Sequence, residues 1–317
     1  MAHAHITPSN IHLKWSKNIP PALTVASGSE LTFELRDGLN NQITPATTLA
    51  DLPGLDSAQA DPAFGPVFVE GAEPGDVLRV DILELTPAPY GWTAILPGFG
   101  LLADEFPTAQ LKIWDLGTID KGYAEFKKGI RVPTRPFLGV MGVAPPTDGE
   151  FGTIPPYHWG GNIDCKHVTE GASLYLPVQA PGALFSCGDG HAAQGDGEVC
   201  GTAIETPMRA RLRLSVEKGK PWVQSPHYLT APTAPLATRR GQEYAALGID
   251  ADVREAARKG LRSAIDWLQA EKGLSREEAY MLCSVVADLK IVEAVDMPHY
   301  AVACAVPLGI FVDEDGA

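Results

Sequence analysis

The run MRARLRLSV, residues 208–216, gives the clearest indication of the fold. Apolar residues occupy its even positions, from Met208 to Val216, and three arginines and a serine occupy the odd positions between them. Strict alternation of this kind is typical of a β-strand with one face in a core and the other toward water. We therefore expect a strand here, with its arginine row either solvated or facing another subunit.

Similar strand signals occur on both sides of this run. Residues 31–35 and 78–82 each alternate apolar and polar side chains, and turn sequences flank them. The chain contains 32 Gly and 27 Pro, a content that suits short strands joined by structured loops. Short apolar runs at 174–178 and 183–187 flank Pro181-Gly182, which predicts a β-hairpin.

Helical periodicity appears only near the C-terminus. Apolar residues recur at helical spacing from Val253 to Leu268, and Gly273 follows as a stop signal. Ser275 and Glu278 form a capping box that predicts the start of a second helix. The last apolar run, residues 300–306, is predicted to be a strand.

These patterns together define the expected fold class. The chain is predicted to be α+β, predominantly antiparallel β and sandwich- or barrel-like, with a C-terminal helical hairpin at about 250–290 packed on the β core. We assign residues 1–317 to a single large domain. The irregular connection between Leu35 and Val67 is long for a compact domain, and such connections are usually functional or form interfaces.

The composition excludes several classes of protein. Lys and Arg number 25 against 39 Asp and Glu, and the resulting charge of −14 argues against binding to nucleic acid. The sequence has no uninterrupted apolar stretch long enough to span a membrane. The five cysteines include no Cys-x-x-Cys pair, and the N-terminus lacks the pattern of a secretory signal. We therefore expect a soluble, cytoplasmic protein with reduced thiols.

Polar functional groups concentrate in the segment from Tyr157 to Glu205. Two Gly-Asp-Gly turns follow each other closely in this segment, one followed by His191 and the other by Glu198. Carboxylates and an imidazole together suit a divalent cation. The candidate ligands are Asp164, Asp189 and His191, and Glu198 lies nearby as a candidate general base for metal-assisted hydrolysis.

Other interpretations start from the same segment. Residues 188–193 match a dinucleotide-binding fingerprint by their letters, but the glycines that follow them would stop the helix that this motif requires. Cys165 stands beside Lys166 and close to His167, so it is a candidate thiolate nucleophile. A third interpretation is a structural metal site in a small-molecule-binding protein without catalytic activity.

Four motifs, in order along the chain, resemble those of the acetamidase/formamidase family. They are GPVFVEGAEPGDVLRVDI (65–82), GGNIDCKHV (160–168), GASLYLPVQAPGALFSCGDGHAAQGDGEVCGTAIE (171–205) and EAYMLCSVVADLKIVEAVD (278–296). The resemblance implies hydrolysis of a short aliphatic amide, formamide or acetamide, to a carboxylate and ammonia. It also implies a β-rich fold, association as a dimer, and a divalent metal, with zinc preferred here over calcium.

The resemblance also places the family's polar site on this sequence. That site falls on Asn162, Asp164, Asp189, His191 and Glu198. From the chemistry of the side chains, we expect the two aspartates and the histidine to hold the metal. We expect the glutamate to act as general acid and base and the asparagine, or a loop backbone N–H, to stabilise the oxyanion.

The tripeptide before Gly160 could alter the substrate preference. Trp159 is bulky and stands directly before the Gly-Gly-Asn sequence of the expected site. We therefore expect its ring to narrow or reshape the substrate pocket.

Overall fold

Two large β-sheets face each other and enclose one of the apolar cores of the protein. The computed structural model describes residues 4–117, 119–231, 242–295 and 297–312. The strands are β1 (Ala4–Ile6), β2 (Ile11–His12), β3 (Lys14–Trp15), β4 (Leu23–Val25), β5 (Ser29–Leu35), β6 (Ala63–Val69), β7 (Val77–Pro87), β8 (Tyr90–Ile95), β9 (Gln110–Asp115), β10 (Tyr123–Lys127), β11 (Ile130–Pro133), β12 (Phe137–Gly142), β13 (Phe151–Gly152), β14 (Pro156–Tyr157), β15 (Gly160–Asn162), β16 (Ser173–Pro177), β17 (Phe185–His191), β18 (Met208–Glu217), β19 (His227–Leu229), β20 (Glu243–Asp250), β21 (Asp288–Glu293) and β22 (Tyr300–Pro307). The helices are α1 (Val253–Lys272) and α2 (Arg276–Val286).

The two large sheets are mostly antiparallel. One has the strand order β1-β5-β18-β7-β16-β19, and the other has the order β14-β15-β12-β17-β6-β2, with β4 pairing to β6. A smaller sheet, β20-β22-β21, lies near the C-terminus and contacts α1. Within the described ranges the sheets form no closed barrel, so the predicted α+β, predominantly antiparallel fold is confirmed in its sandwich-like form.

The alternating run at 208–216 lies in β18, in the middle of the first sheet. β18 pairs with β5 on one side and with β7 on the other, and its apolar residues are buried. Its arginines lie on the outer face, where Arg211 pairs with Glu30 and Glu84, and Arg213 pairs with Glu30. Two of the three arginines are therefore paired with acidic residues of the neighbouring strands.

The hairpin predicted around Pro181-Gly182 is wrong. β16 pairs with β7 in the first sheet, whereas β17 pairs with β12 and β6 in the second. The intervening turn therefore carries the chain from one sheet to the other. Every residue of β17 is buried, so this run lacks the alternation that distinguishes the two faces of a hairpin strand.

The helical predictions are confirmed. α1 ends where Gly273 adopts a left-handed conformation with φ of 62°. The side chain of Ser275 accepts a hydrogen bond from the backbone of Glu278, whose carboxylate accepts one from the backbone of Ser275. Both helices pack on a second apolar core that also includes Ala192, Ala193, Val199, Cys200 and Ile204. No helix of the described ranges is both long and apolar enough to span a membrane.

His12 ties the N-terminal segment to the second sheet. Its Nδ1 lies 2.9 Å from the backbone carbonyl of Lys14 and therefore carries the proton, while its Nε2 lies 2.8 Å from the hydroxyl of Ser186 and accepts from it. Burial lowers the pKa of His12 from 6.5 to about 4, against the opposing effect of the carbonyl of Lys14.

This low pKa predicts a stability loss in acid. Because the unfolded chain binds the proton more readily, the contribution of His12 is complete above pH 6.5 and is lost as the pH falls toward 4. Between pH 6.5 and pH 4 the unfolding free energy of the unmodified protein should therefore fall. In His12→Gln it should fall by less, and the difference should be about 3 kcal/mol at most. Urea unfolding at both ends of the interval measures this, with exposed His227→Gln as control. An unchanged pH dependence in His12→Gln would contradict the assignment.

Candidate active site

The buried end of β17 supplies the centre of the site. Asp189 and His191 are 3% and 1% exposed, and the ring of Phe137 packs edge-on against the imidazole at 5.0 Å between centroids. Asp189 adopts a left-handed backbone conformation with φ of 56°. Its neighbour Gly190 has no room for a side chain, because a Cβ there would lie 2.6 Å from the carbonyl oxygen of Thr206. The Gly-Asp-Gly sequence therefore allows a crowded strand end.

Asp164 reaches this centre from the loop that follows β15. Its backbone has a φ of 44°, and its N–H donates to the carbonyl of Gly139. Its Oδ1 lies 3.9 Å from Nδ1 of His191. A Cβ on Gly139 would lie 2.6 Å from that oxygen and would also contact Asp189. The expected trio of Asp164, Asp189 and His191 therefore lies together, with ligand atoms within 4.8 Å of one another.

Glu205 belongs to the same centre and was not in the expected set. Its Oε2 lies 3.2 Å from Nε2 of His191, close to the 3.0 Å between that nitrogen and Oδ2 of Asp189. Isolated bridges pair Glu205 with both His191 and Trp92, which brings its side chain inward. His191, Glu198 and Glu205 form a second group of candidate ligand atoms.

Asp61 is a further acid near the cluster, and no local sequence pattern indicates it. It lies in the long connection between β5 and β6, has a φ of 49°, and its N–H donates to the carbonyl of Gly38. Burial raises the pKa of Asp61 well above its usual value, and the charges of Asp189 and Asp164 raise it further. The long connection between β5 and β6 therefore supplies an acid to the cavity, in agreement with the functional role predicted for it.

Burial, together with the crowding of acids, raises the pKa values of the acidic cluster. Burial raises the pKa of Asp164 to about 7 and that of Asp189 to about 6, with the positive charge of His191 opposing both shifts. Burial and the charge of Asp164 raise the pKa of Glu198 well above its usual value. For His191, burial by itself lowers the pKa, but the charges of Asp189 and Glu205 outweigh it and raise the pKa. Without a cation the cluster therefore retains protons near neutral pH.

A divalent cation fits this cluster. Several of its buried polar atoms have no hydrogen-bond partner among the described residues; they are Oδ1 of Asn162, Oδ1 of Asp164, Oδ1 of Asp189, Nε2 of His191 and Oε2 of Glu205. Buried acceptors left without donors are costly and rare. A cation that accepts lone pairs from oxygen and imidazole nitrogen would satisfy the carboxylate and imidazole atoms of this set.

Gln194 orients the imidazole. Its side-chain amide nitrogen donates to the backbone carbonyl of Asp164 at 3.0 Å, so its Oε1 faces Nδ1 of His191 at 2.8 Å. Because this oxygen can only accept, Nδ1 of His191 carries a proton, and the neutral ring then presents its lone pair at Nε2. Gln194 thus directs Nε2 toward Asp189 and Glu205.

The candidate thiolate is not activated in this structure. Burial raises the pKa of Cys165, which opposes thiolate formation. The ammonium group of Lys166 is engaged by Asp288 and by Asp196, and His167 lies 3.7 Å from Asp196. Lys166 and His167, whose positions beside Cys165 suggested a thiolate nucleophile, are therefore paired with carboxylates.

A cavity of about 280 Å³ opens onto the acidic cluster. Its lining residues are Gly38, Leu39, Ser57, Ala60, Asp61, Trp92, Leu96, Pro97, Phe99, Ile154, Asn162, Asp189, Glu198, Gly201, Thr202 and Glu205. Trp159 does not line this cavity, contrary to our expectation, because its ring is buried in the core between the sheets and stacks on Tyr157. Asn162 does line it, and its side-chain nitrogen donates to the carbonyl of Ile154.

The chain resembles proteins of known activity along almost its whole length. Residues 2–150 and 147–313 match the Acetamidase/Formamidase family. An acetamidase from Mycolicibacterium smegmatis is 31% identical over 270 residues, covering 66% of this chain and 66% of that protein. A formamidase from Methylophilus methylotrophus is 27% identical over 372 residues, covering 95% and 89%. The solved gamma lactamase from Delftia acidovorans has a TM-score of 0.87 and 26% identity, covering 96% and 90%.

The hydrogen bonds of Gln194 predict an effect on metal affinity. Gln194→Met keeps most of the side-chain volume but removes both hydrogen bonds, so the imidazole loses its fixed orientation. We expect zinc to bind about 10–100-fold more weakly, as measured by calorimetric titration. Gln224→Met, at an exposed glutamine, is the matched control. Equal affinities in Gln194→Met and the unmodified protein would rule out this orienting role.

Proposed function

We propose a substrate class and a cofactor for this chain, which belongs to the Acetamidase/Formamidase family and is a hydrolase of amide C–N bonds. It cleaves short aliphatic amides and uses a bound divalent cation to do so. Formamide and acetamide are the substrates that the names of its relatives suggest, and the products would be a carboxylate and ammonia. A cytoplasmic homodimer remains the prediction from the sequence.

The observation that carries this proposal is the cluster of buried ligand atoms around His191 that have no hydrogen-bond partner among the residues the structure describes. Asp164, Asp189 and His191 would hold the cation, and Glu205 joins them as a candidate ligand because of its distance to Nε2 of the imidazole. The imidazole nitrogen in this set favours zinc over calcium, which prefers oxygen ligands alone. When bound, the cation would polarise the amide carbonyl and make water more acidic.

Glu198 is the proposed general acid and base. It lines the cavity next to the candidate ligands, where its carboxylate can take a proton from the attacking water. The same carboxyl group then returns the proton to the departing nitrogen, because an amine that leaves without a proton is too basic. A nearby cation would lower the raised pKa of Glu198 and so keep it ionised for the first step.

Asn162 has both a donor and an acceptor that a substrate can use. One of its side-chain N–H groups donates to the carbonyl of Ile154, which leaves the second N–H, and its Oδ1 is buried without a partner among the described residues. This oxygen suits an N–H donor better than an oxyanion. We therefore assign to Asn162 the binding of the substrate's amide N–H, which would orient the carbonyl carbon toward the water.

A second candidate substrate is a cyclic amide. The similarity to the gamma lactamase extends over 96% of this chain at a TM-score of 0.87. Opening a lactam ring breaks the same C–N bond, but the amine stays attached to the acid and no ammonia is released. The two candidates are therefore distinguished by comparing ammonia release with chromatographic detection of an amino acid product.

Removal of the cation tests the proposed chemistry. We expect dialysis against a chelator to abolish acetamide hydrolysis and added zinc to restore it, because the carbonyl would no longer be polarised. Metal content measured in the same samples should follow the activity. Full activity in metal-free protein would contradict the proposal, whereas an unchanged activity in Cys165→Ser would agree with it.

Substitution of the proposed base tests the role of Glu198. Glu198→Gln should lower kcat for acetamide by roughly a hundredfold or more while the protein still binds one equivalent of zinc. Glu271→Gln, at an exposed position of α1, is the control. Loss of zinc from Glu198→Gln would show instead that this residue is a ligand, and undiminished turnover would show that another residue is the base.

A further inference from the structure

The mouth of the cavity exposes large apolar side chains. Phe99 is 49% exposed and Ile154 is 47% exposed, and both line the cavity. Leu39, Leu96 and Pro97 continue this lining. Apolar groups gathered at the opening of a pocket, with water on one side, are typical of a surface that a ligand covers.

The opposite end of the cavity is acidic and buried. Asp189 and Glu205 are 3% and 4% exposed, and the apolar ring of Trp92, 1% exposed, lies beside them in the lining. The lining of the cavity is therefore acidic at its buried end and apolar at its mouth. An amide bound with its C–N bond at the acids would place its acyl group against the apolar part.

The size of the cavity exceeds that of the smallest amides. Its volume is about 280 Å³, whereas a water molecule occupies about 30 Å³ of liquid and formamide is only about twice that size. Formamide or acetamide would leave most of the apolar wall in contact with water. An acyl group of roughly four to seven carbons would fill the remaining space.

The charge of the lining excludes one class of acyl group. The lining contains Asp61, Asp189, Glu198 and Glu205, and none of its residues, all of which the structure describes, is Lys, Arg or His. No basic side chain of the lining is therefore positioned to pair with a carboxylate or a phosphate on the acyl group. A negatively charged acyl group would be both unpaired and repelled.

We propose that the preferred substrates are uncharged amides with a compact, apolar acyl group of about four to seven carbons, seated against Phe99 and Ile154. This inference rests on the proposed function, because it takes amide hydrolysis at the acidic cluster as given and specifies the acyl group.

A series of primary amides tests the inference with the zinc-loaded protein. Formamide, acetamide, butanamide, 3-methylbutanamide and cyclohexanecarboxamide are compared by ammonia release. We expect kcat/KM to rise about fourfold for each methylene group until the cavity is full, and to fall for succinamate, which carries a charge. A series that is flat, or that is highest at formamide, would overturn the inference while leaving amide hydrolysis intact. Absence of turnover with every amide would overturn the proposed function and the inference with it.

Variants at the mouth locate the apolar contact. Phe99→Ala should lower kcat/KM for cyclohexanecarboxamide about tenfold more than for acetamide, since only the larger acyl group reaches the ring. Phe99→Leu should recover most of the kcat/KM for cyclohexanecarboxamide that Phe99→Ala loses. Trp222→Ala removes a ring that is 64% exposed and does not line the cavity, so it should affect both amides equally. Equal losses for the two amides in Phe99→Ala would overturn the placement of the acyl group.

Discussion

The constraint on which this structure depends is the burial of several carboxyl groups around one imidazole. Asp164, Asp189 and Glu205 surround His191, and Asp61 adds to the same field. Burying like charges together is unfavourable unless protons or a cation neutralise them. The raised pKa values of Asp164 and Asp189 favour protons on these carboxyl groups, and a bound divalent ion would replace the protons.

The fold maintains this unfavourable arrangement by fixing the backbone around it. Asp61, Asp164, Asp189 and Glu198 all have φ between 41° and 56°, a conformation that is strained for residues other than glycine and is often found at functional sites. A network of charges behind the cluster holds two of the loops together. Lys166, two residues after Asp164, pairs with Asp288 and Asp196, and the backbone of Asp196 donates to Asp288 at 3.0 Å. The loops that carry Asp164 and Glu198 are therefore anchored to the start of β21.

The sequence predicts the elements whose signals are local. Alternation locates β18, and the capping box with Gly273 locates the boundaries of the helices. Asp164, Asp189 and His191 are recognisable as candidate ligands because glycine turns and metal-binding residue types occur close together. The connection after β16 is not predictable in the same way, because a strand buried on both faces does not reveal the sheet to which it belongs. Asp61 and Glu205 reach the site only through tertiary pairing, so no local pattern indicated their role.

The most direct measurement is a crystal structure of the protein grown with zinc, with the ion located by its anomalous scattering. We expect one ion at about 2 Å from Nε2 of His191 and from carboxylate oxygens of Asp164, Asp189 or Glu205, with Gln194 still bonded to Nδ1. An ion bound elsewhere, or a cluster that stays free of metal while the crystals hydrolyse amide, would contradict the account.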